Sequence, residues 1–270
     1  MKEIIRIAMI QPKPYPSPED ARNIGHALQL IEKCRGGDLD VICFPEYFPA
    51  LGEREIGAVA RKLNSYVIAG IIEEDGGKRY NTAMLFNRAG RPVGRQRKLS
   101  VGAIERERMG ISAGDGVFRV FETDFAKIGI PVGIDFWGQP EAGRQLSYQG
   151  VDIVFNPSAF SMLRGHWKTG CLVRSFDNFV PVVGINTADY NAMFGEKRVH
   201  QHGGGSFILQ PPRMLDKDDF NRWARSLDNV ESWAVAQLDE LEQVHVADVN
   251  LASASRFRSE FFNRFGFKKF

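Results

Sequence analysis

The sequence predicts an α/β fold in a single domain, and three observations carry that expectation. The stretch 127–158, KIGIPVGIDFWGQPEAGRQLSYQGVDIVFNPS, reads as strand, sharp turn, short helix and strand. Apolar runs alternate with segments of helical period along most of the chain. Its 270 residues, without internal repeat or linker, suit one large α/β domain. In the 127–158 unit an apolar run (Ile128, Ile130, Val132) stops at Gly133, and turn chemistry follows at Asp135, Gly138 and Pro140. A helix over 141–149 leads to a second buried run, 151–155, closed by Asn156-Pro157. Such a unit sets 133–138 at the carboxyl end of a buried strand, where open α/β sheets place their chemistry. That position carries no Ser, Cys, Thr or His.

Composition narrows the function classes. Hydrophobic residues at 43% and charged ones at 25% describe a globular chain with a sizeable core. A net charge of +2 makes no field that argues for nucleic acid or an anionic membrane. No apolar run approaches the roughly 20 residues of a membrane helix, and the N-terminus has no signal-peptide h-region. Cys34, Cys43 and Cys171 follow no metal spacing, and their odd number argues against a disulfide framework. A reduced, cytoplasmic setting is therefore expected, with no cofactor and no metal.

Taken in order, 3–11 is a strand, and Ser17-Pro18-Glu19-Asp20 has the chemistry of a helix start. Ile24, Ala27, Leu28, Ile31 and Cys34 fall on one helical face, and Gly36-Gly37 ends the helix. The apolar strand 39–44 is broken by Pro45-Glu46, so a carboxylate stands at a buried strand's end, as a site residue or a turn glutamate. Ile56, Val59, Ala60 and Leu63 mark the next helix; 66–72 is a strand, 73–78 a hairpin loop and 80–87 the returning strand. Residues 92–97 then lead into Lys98. Arg95, Arg97 and Lys98 taken alone read as a solvated basic edge, and Glu105-Arg106-Glu107-Arg108 is equally ambiguous. Residues 118–121 and 127–132 bring the chain to the central unit.

Beyond Pro157 a loop with Phe160, Met162 and Trp167 precedes a helix over 166–178, in which Cys171 reads as a buried structural thiol rather than a nucleophile. Residues 180–185 form a strand and 188–202 a polar, aromatic loop. His200 and His202 lack a third metal ligand at motif spacing. Gly203-Gly204-Gly205-Ser206 lacks the Lys and the strand-loop-helix context of a phosphate loop. Phe220, Trp223, Ala224 and Leu227 suggest a further helix, and 233–238 is the last clear strand. The tail 256–270 holds six of the twenty phenylalanines among basic residues, a composition suited to packing across a subunit interface; membrane or RNA contact is the lesser alternative.

With these pieces in place the chain resembles the nitrilase, or carbon–nitrogen hydrolase, superfamily over nearly its whole length. The resemblance runs through Phe44-Pro45-Glu46, Tyr80-Asn81-Thr82-Ala83, Arg97-Lys98-Leu99, the segment 107–114, Lys127-Ile128-Gly129, Pro140-Glu141 with Arg144, Asn156-Pro157-Ser158, His166-Trp167, the run 174–178 and Gly204-Gly205-Ser206. Each is weak alone, and their order and spacing are strong. The resemblance implies a four-layer α-β-β-α sandwich that forms a homodimer or a higher homo-oligomer and takes a small-molecule substrate. It implies a glutamate that deprotonates a cysteine, a lysine that stabilises the oxyanion and a second glutamate that positions them, acting on the C–N bond of an amide, nitrile or carbamoyl group.

By position, Glu46 matches the base, Lys98 the lysine and Glu107 the second glutamate. The cysteine has no match. Counted ungapped from Lys127-Ile128-Gly129, its slot is Gly133, with Asp135 two residues later. Aligned on Val132-Gly133-Ile134, the slot is Asp135 itself. The ungapped reading is preferred, because an insertion within a buried strand flips every later side chain. The loops 134–140, 158–165 and 186–202 set the substrate, with Trp137, Phe160, His166 and Asn186 in or beside them as candidate contacts. The expectation is a hydrolase-type site retaining Glu46, Lys98 and Glu107 without the thiol, the alternative being an inactive binding or assembly protein on the same scaffold.

Overall fold

The computed structural model describes residues 2–34, 37–159, 164–194, 196–201, 203–211 and 233–251. The first apolar run forms β1 (Ile4–Gln11), which pairs in parallel with β2 (Val41–Cys43) and antiparallel with β15 (Gln243–Asn250). Beyond β2 lie β4 (Tyr66–Asp75), β5 (Lys78–Phe86) and β6 (Pro92–Arg97), giving the order β15-β1-β2-β4-β5-β6, with β3 (Pro49–Ala50) on β4. The second sheet runs β14 (Ala234–Gln237), β13 (Phe207–Leu209), β10 (Val182–Ile185), β9 (Ile153–Pro157), β8 (Lys127–Gly129), β7 (Val120–Glu122). A separate ribbon pairs β11 (Tyr190–Phe194) with β12 (Lys197–Gln201).

The period of two along each strand decides the layering. Ile5, Ile7, Met9, Val41, Cys43 and Ile68 turn inward and meet Ile128, Ile130, Ile153, Phe155, Val183 and Ile185 of the second sheet. The opposite face of the first sheet, with Ile10, Ile42, Phe44 and Val67, packs on α1 (Arg22–Glu32) and α2 (Glu53–Leu63) through Leu30, Ile31, Ile56 and Ala60. The outer face of the second sheet packs on α5 (Pro140–Tyr148) and α6 (Arg164–Asn178) through Leu146, Trp167 and Cys171. The result is the α-β-β-α sandwich. Burial on both faces explains why the central strands read as unbroken apolar runs.

Two local expectations shift. α1 begins at Arg22 rather than after Ser17, because the fully buried Asn23 side chain captures the preceding backbone. Its Oδ1 accepts from the Tyr15 N–H at 2.9 Å and its Nδ2 donates to the Ser17 carbonyl at 3.1 Å, which holds that segment as turns. β4 runs on to Asp75, and the hairpin closes at Gly76-Gly77, both with positive φ (55° and 72°). Two short helices that the sequence left unassigned, α3 (Ala103–Met109) and α4 (Ile134–Trp137), flank the candidate site. The helix expected around Phe220–Leu227, the tail 256–270, Phe160, Met162 and His202 lie outside the described residues.

One glycine fixes the fold at that site. A Cβ on Gly70 of β4 would stand 2.5 Å from the Tyr47 nitrogen and against the Pro45 carbonyl, so only glycine lets the segment carrying Glu46 cross the strand. Gly70→Ala is expected to destabilise the protein by about 3 kcal/mol, because backbone rather than a movable side chain must yield. The shift in urea midpoint measures it, and a variant as stable as the parent would show that the 45–47 segment is free to lift.

Candidate active site

Glu46 follows β2 on that crossing segment, and only 3% of its surface is exposed. Its Oε1 accepts from Lys98 Nζ at 2.8 Å and from Asn81 Nδ2 at 2.6 Å. Lys98 leaves β6 with its N–H bonded to the Asn81 carbonyl at 2.8 Å, so one β5 residue registers both its backbone and its target. The ammonium also donates to Glu105 Oε1 and Oε2 at 3.0 and 2.9 Å. Glu105 sits in the first turn of α3, where Oε2 accepts from the Gly102 N–H at 2.8 Å and Oε1 from the Tyr47 hydroxyl at 2.6 Å.

Two buried carboxylates share one ammonium, and their surroundings push them apart. Burial pushes Glu46 above the ordinary carboxylate range, and Lys98 offsets this only in part. Burial acts on Glu105 the same way, but Lys98, the Tyr47 hydroxyl and the Gly102 amide outweigh it and hold Glu105 below that range. Burial alone would lower Lys98; the charges of Glu46 and Glu105 more than compensate and keep it protonated. Of the two, Glu46 is the carboxylate whose surroundings favour the protonated form, and Glu105 the one held ionised.

Opposite Glu46 stands the strand-to-helix turn at Gly133. Its φ of +53° and ψ of −126° form a sharp elbow of the kind that presents nucleophiles at a helix start, a conformation that glycine adopts without strain. The backbone is pinned on both sides. The Gly133 N–H donates to the Pro157 carbonyl at 2.8 Å, and Asn156 Nδ2 donates to the carbonyls of Pro131 and Gly133 at 2.8 and 3.0 Å. Asn156 Oδ1 in turn accepts from Trp167 Nε1 at 2.7 Å. A Cβ at 133 would stand 2.8 Å from Glu46 Oε2 and 3.4 Å from Oε1.

The other expected residues separate into neighbours of this centre and outsiders. Asp135 is fully buried, but its carboxylate accepts from the Leu99 and Ser100 N–H groups at 2.6 and 2.7 Å. It therefore clamps α4 to the backbone that follows Lys98. Burial raises its pKa, and the two amides oppose the rise. Glu107 is exposed on α3, and Glu105 occupies the place assigned to it: two helical positions turn a side chain by about 200°, onto the far face. His166 is exposed on α6. Trp137 is half-buried against α6, over Gly170. Asn186 is buried at the end of β10, where Nδ2 donates to the Gly204 carbonyl at 3.1 Å and Oδ1 accepts from the Thr187 N–H at 2.9 Å, a backbone-tying arrangement. None of the thiols lies in the Glu46–Lys98–Glu105 cluster: Cys43 is in the inter-sheet core, Cys171 on the buried face of α6 with its Sγ 3.7 Å from Asn156 Oδ1, and Cys34 beside α1, and burial raises all three, Cys34 to about 11.

Sequence reasoning assigned no role to Asn81, Tyr47 or Tyr190. Asn81 had a signal, a polar residue inside the apolar β5. Tyr47 had none, since its contact depends on a backbone with φ of 59°. Among the described residues no three His, Cys, Asp or Glu side chains group as a metal site, and no helix is long and apolar enough to cross a membrane.

The carbon-nitrogen hydrolase family model matches residues 6–212. The chain belongs to the carbon–nitrogen hydrolase family. It is 29% identical over 221 residues to the omega-amidase NIT2 of Xenopus tropicalis, covering 72% of this chain and 78% of the relative. It is 30% identical over 199 residues to the N-carbamoylputrescine amidase of Solanum tuberosum, covering 67% and 62%. The crystal structure of Saccharomyces cerevisiae Nit3, a member of branch 10 of the nitrilase superfamily, superposes with a TM-score of 0.76 at 21% identity, covering 96% of this chain and 94% of that one. That likeness is one of fold.

Lys98 is the cation on which the cluster depends. In Lys98→Met the two carboxylates face each other, at a cost of about 3–5 kcal/mol near neutral pH. Their folded pKa values then rise above the unfolded ones, so the folded state binds more protons, and stability falls as pH rises above the ordinary carboxylate range. Urea midpoints of the variant between about pH 4 and pH 8 are expected to fall relative to the parent, and a pH-independent difference would contradict the shared-cation arrangement.

Proposed function

We propose that this protein binds a small amide, nitrile or carbamoyl compound at Glu46, Lys98 and Glu105 and hydrolyses its C–N bond without a cysteine nucleophile. The observation that carries this reading is the direction of Glu46: one carboxylate oxygen is held by Lys98 and Asn81 while the other faces the elbow at Gly133. The amidases among the relatives support the substrate class. Glu46 takes a proton from water as the water oxygen bonds to the carbonyl carbon and the carbonyl electrons move onto oxygen, where the Lys98 ammonium meets the charge. The C–N bond then breaks, and the proton passes from Glu46 to the leaving nitrogen. Acid and amine depart, with no acyl-enzyme formed. Glu105 keeps Lys98 charged and in place. Removing a covalent nucleophile costs up to about six orders of magnitude in well-studied hydrolases, so turnover is expected to be slow.

A panel of amides, nitriles and carbamoyl compounds tests this, with ammonia or amine release as readout. The expected result is linear release without a burst, no adduct by mass spectrometry, indifference to iodoacetamide and loss of activity in Glu46→Gln. The rate should fall on the acid side through a pKa above the ordinary 4.5, because burial raises Glu46 and the protonated acid accepts no proton. Saturable binding without turnover, removed by Glu46→Gln, would favour the inactive binding protein, a reading that the bare Gly133 supports. Neither binding nor turnover would reject both.

Gly133→Cys is the converse experiment. A side chain at positive φ costs on the order of 1 kcal/mol, and its Cβ must push the Glu46 carboxylate back from 2.8 Å. The new thiol stands by a base and a buried ammonium, so it is expected to alkylate faster than Cys34, Cys43 or Cys171 and to accumulate an acyl adduct from a simple ester. A folded variant whose thiol is as inert as the native three would show that Glu46 and Lys98 are not arranged for acyl transfer.

A further inference from the structure

The two acids of the cluster share most of their donors. Lys98 Nζ donates to Glu46 Oε1 at 2.8 Å and to Glu105 Oε1 and Oε2 at 3.0 and 2.9 Å. Asn81 Nδ2 donates to Glu46 Oε1 at 2.6 Å and to Glu105 Oε1 at 3.1 Å. A donor common to both carboxylates stabilises charge on either, so Lys98 and Asn81 distinguish the two acids little. Two donors are not shared, and both serve Glu105: the Gly102 N–H at 2.8 Å and the Tyr47 hydroxyl at 2.6 Å. Both donors to Glu46 fall on Oε1, and among the described residues Oε2 accepts from none. The Gly102 amide is fixed by the turn that opens α3, which leaves Tyr47 as the one side chain in the asymmetry.

The backbone is shaped to deliver that hydroxyl. Neighbouring side chains of an extended chain point to opposite faces, yet Glu46 and Tyr47 enter the same cluster. Tyr47 has a φ of 59°, a left-handed conformation that a bulky residue adopts only where its surroundings impose it. Its ring is buried against Val101, Met109 and Ile111 beside α3. Phenylalanine would fill that seat equally well, so the packing does not require the hydroxyl. The other titratable groups facing the pair are Lys98, Asp135 of α4 and Tyr190 of β11, the strand that packs against α3. Asp135 is taken by the Leu99 and Ser100 amides, and Tyr190 feels the charge of Glu46 without a hydrogen bond to it. Arg106, Glu107 and Arg108 of α3 are exposed, and Arg79 of β5 donates to the Met109 carbonyl and pairs with Glu19.

We infer that Tyr47 is the positioning residue that divides the roles of the two acids: through its hydroxyl it keeps Glu105 the standing counter-charge of Lys98 and leaves the proton to Glu46. The use of that proton rests on the hydrolysis proposed above, whereas the division itself rests on the hydrogen bonds.

Carboxyl-carbon NMR of the full chain, isotope-labelled at glutamate, follows each protonation without substrate, and Glu46→Gln and Glu105→Gln assign the two signals. In the parent, Glu105 is expected to titrate below the ordinary 4.5 and Glu46 above it. Tyr47→Phe keeps the ring and removes the hydroxyl. It should raise the Glu105 midpoint by about one pH unit, a roughly tenfold change in proton affinity, and move Glu46 far less. Fluorotyrosine in place of Tyr47, a more acidic phenol and a stronger donor, should shift Glu105 the other way, which a merely structural role would not do. The inference is overturned by a parent in which Glu105 holds its proton to higher pH than Glu46, by a Glu105 midpoint indifferent to Tyr47, or by equal shifts of both carboxyls. If Tyr47→Phe does not fold, the parent and the fluorotyrosine chain decide by the same criteria. Absence of amide turnover would reject the hydrolysis proposed above and leave the titration to decide the role of Tyr47, whereas an indifferent Glu105 in an active enzyme would reject that role alone.

Discussion

The Lys98 ammonium, withdrawn from water and divided between Glu46 and Glu105, constrains nearly every element around it. Burying a charge is costly unless each partner is placed well, and this cluster uses backbone and side chains from four separate segments to place them. Gly70 lets Glu46 approach, Asn81 registers Lys98, the capped start of α3 aims Glu105, and Tyr47 closes the second carboxylate. Apolar packing of the same volume would be at least as stable. The cluster is thus weak evidence for stability, whereas a pair of carboxylates driven apart in pKa around one cation suits the proton transfer proposed above.

The elbow is built as firmly as the charges. Gly133 is held through its own N–H and carbonyl, Pro131 through its carbonyl, and Asp135 fastens the start of α4 to the amides that follow Lys98. The groups that orient the cation and those that orient the turn are thus one network. A displacement of α4 moves the backbone beside Lys98, and a displacement of that backbone moves Glu46. Asp135 thereby ties the elbow to the backbone that follows Lys98.

Much of this was legible in the chain. Glu46 stood out because it ends a buried strand, and the apolar runs marked the central strands, whereas Lys98 read alone as part of a solvated basic edge and was singled out only by the resemblance. The layer order came from resemblance, since periodicity alone does not say which sheet face meets which. Glu107 failed for a reason of helical phase. The run Glu105-Arg106-Glu107-Arg108 alternates charge at every residue, and only the placement of α3, with Glu105 reaching back to the Gly102 N–H, selects the face. A glutamate three residues after a glycine helix entry is a cap signal that the run obscured. Asn186 and His166 failed differently. A buried strand-end asparagine serves backbone amides before ligands, and a helical histidine two residues from a pocket loop still points to solvent. The start of α1 was hidden in Asn23, whose side chain competes with the helix for the backbone that Ser17 and Pro18 were expected to cap.

What remains is how a site of this type acts when its elbow carries hydrogen in place of a side chain. The pocket wall at Gly133 is the backbone itself, and the base lies against it. In the hydrolysis proposed above, water takes the place of a thiol between Glu46 and a carbonyl carbon at the elbow, with Lys98 beside it. The proposed route gives up the division of one hard step into two easier ones and keeps electrostatic stabilisation of the oxyanion, often the larger of the two contributions. Binding energy from a distant part of the substrate matters more under those terms, because orientation must supply what covalent capture no longer does.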